Sequence, residues 1–244
     1  MKLAGKRVLV TGGGRGIGAA IALAFAGEGA DVCVTARTQS QIDAIAEKIC
    51  EAGRRGVAVA CDVSDAEQVA VAVNTANDTL GGLDILVNNA GGGEERVNVG
   101  DDNVDHWRSV IEVNLLGTYY FSRAALPAMR QAGGGSIINV GSGMGHQARA
   151  GNSSYNTAKA GVWMLTRCLA MELWSDNIRV NELIPGPVFT ELTSTVFEAG
   201  AAHPAIGSDR VKQPEDVVPL ALFLATCGVD GPTGQSFSLA RRPL

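Results

Sequence analysis

Charge is scarce in this sequence, and it leans acidic. Only 18% of the 244 residues are Asp, Glu, Lys or Arg, and the formal net charge is −5. Average usage is about 25% charged, and phosphate-backbone binding wants clustered Lys and Arg, so a nucleic-acid surface is excluded. Long apolar runs are also missing. Val8-Leu9-Val10 meets glycine almost at once, which is too short for a secretory core, and no run approaches the ~18 apolar residues of a membrane span. The five cysteines, Cys33, Cys50, Cys61, Cys168 and Cys227, are odd in number, widely spaced and never in a C-x-x-C pair. That spacing suggests neither a zinc site nor a disulfide framework; the thiols are expected to be buried apolar groups in a reducing compartment. His106 and His203 have no partners in sequence, so no metal site is expected. These absences leave a soluble cytoplasmic protein as the expectation.

Apolar residues are plentiful, at 46%, and so is glycine, with 31 residues against 8 prolines. One domain of this size buries about 70–75% of its unfolded surface and needs no staple. With no collagen-like period, the glycines must serve turns and close packing.

Short β-branched runs alternate with longer amphipathic stretches. Strands are predicted at Arg7–Val10, Asp31–Thr35, Val57–Cys61, Ile85–Asn88, Ser136–Val140, Arg179–Ile184 and Ser236–Leu239. Helices are predicted at Ile17–Gly27, Ser40–Ala52, Asp65–Leu80, Ser153–Ser175 and Val217–Ala225, with one long helix or two short ones over Asp102–Gln131. Continuously apolar strands separated by helices indicate a parallel sheet covered on both faces. The fold class is therefore α/β: a single doubly wound Rossmann-type domain with a mainly parallel seven-stranded sheet. The connection 185–214 is long enough to be functional or mobile. Its Phe189, Leu192, Val196 and Phe197 suggest a partly helical flap over a site.

The first strand runs directly into a glycine turn and a helix, as Thr11-Gly12-Gly13-Gly14-Arg15-Gly16-Ile17-Gly18. Glycines let the backbone bend and approach a diphosphate, and the free N–H groups at the helix start bind the anion. Gly12, Gly14, Arg15, Gly16, Ile17 and Gly18 are the expected cradle. An acid at the end of the second strand would hold the ribose 2′-hydroxyl of NAD; here that strand ends Thr35-Ala36-Arg37. Arg37 can grip a 2′-phosphate, with Arg15 as a second cation, which favours NADP(H) over NAD(H).

Further motifs follow in one order: Asp62-Val63, Asn88-Asn89-Ala90-Gly91, Asn114, Ser142, Tyr155-x-x-x-Lys159, and Pro185-Gly186 with Thr190. With the glycine turn they strongly resemble the short-chain dehydrogenase/reductase family, and more narrowly its 3-oxoacyl-carrier-protein reductase branch. Tyr155 and Lys159 lie four apart on a predicted helix and share a face. A nearby cation lowers a phenol's pKa, so Tyr155 can exchange a proton with a carbonyl or alcohol oxygen, and Ser142 can hydrogen-bond the same oxygen. The resemblance implies that Lys159 also holds the nicotinamide ribose and that Asn114 positions a water relaying protons through Lys159. It further implies that Asp62 and Val63 meet the adenine, Asn89 and Gly91 the adenosine ribose, and Pro185, Gly186, Val188 and Thr190 the carboxamide.

The expected function is hydride transfer between NADP(H) and a carbonyl or secondary alcohol, as a carbonyl reductase of 3-oxoacyl-reductase type. An NAD-dependent alcohol or sugar dehydrogenase is the alternative within that class, and a non-catalytic dinucleotide-binding sensor the rival outside it. The substrate pocket should draw on Gly92, Gly93, Met144, His146, Gln147, Asn152, Phe189, Leu192 and Phe197. His146 stands as either a polar substrate contact or a solvated loop residue. Glu94 and Glu95 are read as pocket rim or simply exposed, and Arg241 and Arg242 as a solvated tail or a contact between subunits. On the Ser153–Ser175 helix Val162, Leu165, Leu169 and Leu173 form one stripe, with Trp163, Met164 and Met171 off it. Apolar groups on a second face need a further partner. A homotetramer follows as the expectation, with a dimer as the fallback.

Overall fold

The computed structural model describes residues 1–93, 96–203 and 206–244. Strands and helices alternate from the start: β1 (Arg7–Thr11), α1 (Gly16–Gly27), β2 (Asp31–Ala36), α2 (Gln39–Glu51), β3 (Gly56–Ala60), α3 (Ala66–Leu80) and β4 (Ile85–Asn88). The second half continues with α4 (Val104–Ile111), α5 (Gly117–Gln131), β5 (Gly135–Val140), α6 (Ser153–Leu173) and β6 (Ile178–Ile184). A small hairpin follows, β7 (Ala202–His203) and β8 (Ile206–Arg210), then α7 (Val218–Thr226) and β9 (Ser236–Ser238). Seven strands form one parallel sheet in the order β3-β2-β1-β4-β5-β6-β9.

Alternation along the strands splits the core in two. On β1, Val8 and Val10 pack with Ile21 and Phe25 of α1, Ile42 and Ile49 of α2 and Leu224 of α7. Leu9 faces the other way, toward Val69 and Val73 of α3, Phe121 and Met129 of α5, and Leu169 and Leu173 of α6. Burying both faces explains why these strands read as unbroken apolar runs. Asp65 caps α3 by accepting from the Glu67 and Gln68 amides, and Gly81 ends it at φ 80°, the left-handed position that favours glycine.

Two segments depart from expectation. The 102–131 region is neither one regular helix nor two separate ones: a π-helical turn, Glu112–Leu116, links α4 to α5 and holds the fully buried Asn114. Such turns inside α-helices cluster at functional sites. Among its described residues the 185–214 segment forms no α-helix; it runs through turns around residues 191–196 into the paired β7 and β8. Thr193 supplies a local reason, since its Oγ1 accepts from the Thr190 amide and donates to the Val188 carbonyl. That side chain competes with backbone helix bonds.

Among the described residues no helix is long and apolar enough to cross a membrane, and no cluster of His, Cys, Asp or Glu could hold a metal. The cysteines are all free, but only Cys33 and Cys61 are fully buried; Cys50 and Cys168 are exposed. Burial pushes the thiols up, to about 12 at Cys33 and about 11 at Cys61, where Asp62 and Asp65 add to it.

Candidate active site

Strand order reverses between β1 and β4, which both pair with parallel neighbours on their outer sides. In open α/β sheets such a reversal opens a crevice at the carboxyl ends of the strands. A cavity of about 930 Å³ occupies that crevice. The β1–α1 turn forms one end of it. Gly12 and Gly16 take φ of 62° and 55°, which only glycine adopts without strain. The first turn of α1 has no side-chain cap, so its leading N–H groups are available to an anion. Asn89, just after β4, ties this turn down: its amide donates to Thr11 Oγ1 at 2.9 Å, and its Nδ2 donates to the Thr11 and Gly12 carbonyls at 3.0 and 3.2 Å.

Gly12, Gly14, Arg15, Gly16, Ile17, Arg37, Asp62, Val63, Asn89 and Gly91 all line the cavity. Gly18 does not; a Cβ there would collide with the Gly12 carbonyl oxygen, so this glycine serves helix–strand packing. Arg37 is exposed beside Asp62. Burial opposes Asp62 ionisation, but hydrogen bonds from the Ser64 hydroxyl and amide, helped by Arg37, hold its carboxyl below the usual range. Arg15 is exposed at the rim, where its Nη1 pairs with Glu191 at 2.6 Å.

The other end of the cavity brings Ser142, Tyr155 and Lys159 together. Ser142 follows β5 and caps a short 3-10 turn, its Oγ accepting from the Met144 amide at 3.1 Å. Tyr155 and Lys159 sit one turn apart on α6, and both are buried. Lys159 Nζ lies 5.7 Å from the centre of the Tyr155 ring and donates to the Val140 carbonyl at 3.0 Å. A buried ammonium beside a phenol favours the phenolate. Asn114 stands behind this wall rather than in it. Its Nδ2 donates to the Gly92 and Val110 carbonyls at 2.8 and 2.9 Å, and its Oδ1 accepts from the Gly92 amide. A Cβ on Gly91 would lie 2.7 Å from Asn114 Oδ1 and 3.3 Å from Lys159 Nζ, so glycine there lets the two side chains approach each other.

Pro185, Gly186, Val188 and Thr190 close the cavity from the strand ends, and Gly92, Gly93, Met144, Gln147, Asn152, Leu192 and Phe197 line it. Phe189 is absent from the lining. His146 is too, and its side chain is turned away from solvent. Its Nε2 meets Oε2 of the fully buried Glu182 at 3.0 Å, and its ring packs 5.2 Å from that of Trp163. His106 does have a partner, with Nδ1 3.0 Å from Asp102 Oδ1. The Glu94 and Glu95 expectation lies outside the described residues. Three lining arginines had no sequence-level reading as ligands, namely Arg96, Arg149 and Arg242. Arg242 is not a solvated tail. It is half-buried, 2.7 Å from Gln147 Oε1 and 3.4 Å from Asp209 Oδ2.

Comparison with known proteins agrees with this architecture. Residues 6–200 match the short chain dehydrogenase family. The chain is 39% identical over 236 residues to the 3-oxoacyl-acyl-carrier-protein reductase FabG of Pseudomonas aeruginosa, covering 96% of this chain and 95% of that protein. A short-chain type dehydrogenase/reductase from Mycobacterium marinum superposes with a TM-score of 0.90 at 34% identity, over 98% of this chain and 95% of that one. A 7α-hydroxysteroid dehydrogenase, solved with NADH and 7-oxoglycochenodeoxycholic acid, gives 0.88 at 30% identity, over 98% and 94%. The chain therefore belongs to the short-chain dehydrogenase family, as an NAD(P)-dependent oxidoreductase acting on alcohol and ketone groups.

Proposed function

We propose that the protein is an NADP(H)-dependent carbonyl reductase of 3-oxoacyl-reductase type. The observation that carries this reading is the convergence of Ser142, Tyr155 and Lys159 on the cavity that also holds the glycine turn. The nicotinamide supplies or accepts the hydride. Tyr155 Oη gives its proton to the carbonyl oxygen in reduction and takes it back in oxidation. Ser142 donates its hydroxyl to the same oxygen; within the described residues that O–H has no other acceptor, since Oγ itself accepts from Met144. Lys159 stabilises the phenolate and holds the ribose, and Asn114 serves the proton relay that the family pattern implies.

The glycine turn fits a dinucleotide, because its φ angles and its uncapped helix suit an anion. The preference for NADP(H) rests on Arg37 and on the lack of an acid at the end of β2. The pairing of Arg15 with Glu191 and the NADH-bound relative favour a second reading, an NAD-dependent alcohol dehydrogenase. Specificity constants for NADPH and NADH over a panel of ketones separate the two; a higher kcat/KM with NADH overturns the first.

We further propose that 185–214 acts as a lid, supported by contacts from Thr190 to Gly16, Glu191 to Arg15 and Leu192 to Gly92. Equal hydrogen-exchange protection of this segment with and without cofactor would refute it. The assembly proposed is a homotetramer, or failing that a dimer. Its support is the exposure of Tyr119 on α5 and of Met164 and Met171 on α6, and light scattering at 25.2 kDa would exclude both.

A further inference from the structure

The segment after β9 crosses the mouth of the cavity from the Pro185-Gly186 end to the Ser142 turn. Leu239 closes it onto the sheet by donating to the Ile184 carbonyl at 2.9 Å. Ala240 Cα then lies 3.4 Å from where a Cβ on Gly186 would be. Two residues later, Arg242 Nη2 lies 3.3 Å from where a Cβ on Gly143 would be. Gly143 directly follows Ser142 and has no left-handed φ to explain it, so the missing side chain leaves room for the guanidinium.

Arg242 is held in place. Its Nη1 donates to Gln147 Oε1 at 2.7 Å, and Asp209 Oδ2 lies 3.4 Å from its Nε. Asp209 is buried and fixed by the Arg241 amide at 2.5 Å. This support leaves donors over. Nε is buried with no hydrogen-bond partner, and Nη2 makes no hydrogen bond to any described residue. Among the described lining residues charge is unevenly spread. At the far end of the cavity Arg15 is matched by Glu191 and Arg37 by Asp62. At this end Arg96, Arg149 and Arg242 line the wall together with one acid, Asp209, already engaged by Arg242. Arg96 and Arg149 form no ion pair with a described residue. A fixed guanidinium with Nη2 free at the wall of the cleft suits a carboxylate, and two further cations raise the local concentration of anions.

We propose that this is a substrate-anion site, and that the protein acts on oxo acids and hydroxy acids whose free carboxylate lies within a few carbons of the reacting carbon. Arg242 binds the carboxylate, while Arg149 and Arg96 steer it. This rests on the carbonyl-reductase reading of the same site, but it takes a free acid in place of the acyl thioester that the 3-oxoacyl-reductase type would use. The test pairs 3-oxobutanoate, 4-oxopentanoate and 4-oxocyclohexanecarboxylate with their methyl esters, using the cofactor-loaded full chain. The parent should favour at least one acid over its ester by tenfold or more in kcat/KM. Arg242→Gln should bring that ratio near one, mainly through KM, and Arg242→Lys, which keeps the charge but loses the fork, should fall between. Esters equal to or better than every acid, or an unchanged ratio in Arg242→Gln, would overturn the site. Calorimetric binding of unreactive cyclohexanecarboxylate to the cofactor complex reads the site without turnover. Binding lost in Arg242→Gln supports it, and absent or equal binding refutes it, so a failure of the redox reading is distinguished from a failure of the anion site.

Discussion

The two ends of the cavity are built from different materials. The nucleotide end is mostly backbone: a glycine turn, an uncapped helix and the Asn89 clasp, drawn from residues that are local in sequence or on neighbouring strands. The substrate end is side chains brought from far apart: Ser142 after β5, Tyr155 and Lys159 on α6, and Arg242 after β9. The difference teaches where generality and specificity reside. Backbone cradles recognise what all dinucleotides share, whereas side chains on later segments can change without disturbing them. Substitutions at the two ends should therefore separate cofactor binding from turnover.

The largest separation is expected at Tyr155→Phe, which keeps the ring but removes the proton. Turnover should fall by ~10² or more, the usual scale of acid–base catalysis, while the cofactor Kd by fluorescence titration stays within a few-fold. Near-parental turnover would remove Tyr155 from the chemistry. The mirror experiment lies at the nucleotide end. Ala36→Asp combined with Arg37→Ser offers a carboxylate to the ribose hydroxyls and repels a 2′-phosphate. The ratio of kcat/KM for NADPH to that for NADH should drop by roughly tenfold or more, each good charged contact carrying about 1.5–3 kcal/mol. An unmoved ratio would mean that Arg37 does not read the phosphate.

A smaller effect is expected behind the catalytic wall. Glu182 on β6 is fully buried; Ser236 Oγ donates to its Oε2 at 2.6 Å, His146 Nε2 lies 3.0 Å from the same atom, and Oε1 has no partner. A Cβ on Gly141 would collide with that Oε1. The carboxylate thus seats both ends of the turn that carries Ser142. Glu182→Gln should lower kcat by about tenfold, the order of magnitude of a lost charged hydrogen bond, and leave the cofactor Kd unchanged. Loss of cofactor binding as well would show that Glu182 supports the fold at large rather than this turn.

The nucleotide end was legible because its signals are local. Strand, glycine turn and helix lie between Arg7 and Gly27, and the seven-stranded sheet follows from unbroken apolar runs separated by helices. Tyr155 and Lys159 were legible through helical spacing. What escaped was set by distant partners. His146 pairs with Glu182 36 residues later, and Arg242 with Gln147 95 residues earlier; neither pairing leaves a periodic trace. The 185–214 segment misled because its apolar residues suggest a helix, while Thr190 and Thr193 bond to nearby backbone and each other. The paired Arg15 shows the same limit, since the motif names the residue but Glu191 decides its partner.

The smallest effect on catalysis, and a clear one on stability, is expected at the amino ends of the central strands, away from the cavity. Asp84 precedes β4 and clamps the start of β1, with Arg7 Nε and Nη2 donating to its two oxygens at 2.7 and 3.0 Å and the Arg7 amide at 2.9 Å. Burial opposes ionisation of Asp84, but these bonds, with Lys6 contributing, hold its carboxyl below the usual carboxylate range. A depressed carboxylate stabilises the fold above its unfolded pKa of about 3.9, and that contribution disappears as pH falls through the folded value. Asp84→Asn should therefore cost about 2 kcal/mol in denaturant unfolding at neutral pH, the scale of a charged hydrogen-bonded pair. The gap between parent and variant should stay level from about pH 5 to 8 and narrow below about pH 4. The catalytic parameters should remain within twofold, because the clamp and the cavity lie at opposite ends of β1. A gap that persisted undiminished into strong acid would mean that Asp84 acts through shape rather than charge. A large fall in kcat would mean that the two ends of the strands are coupled.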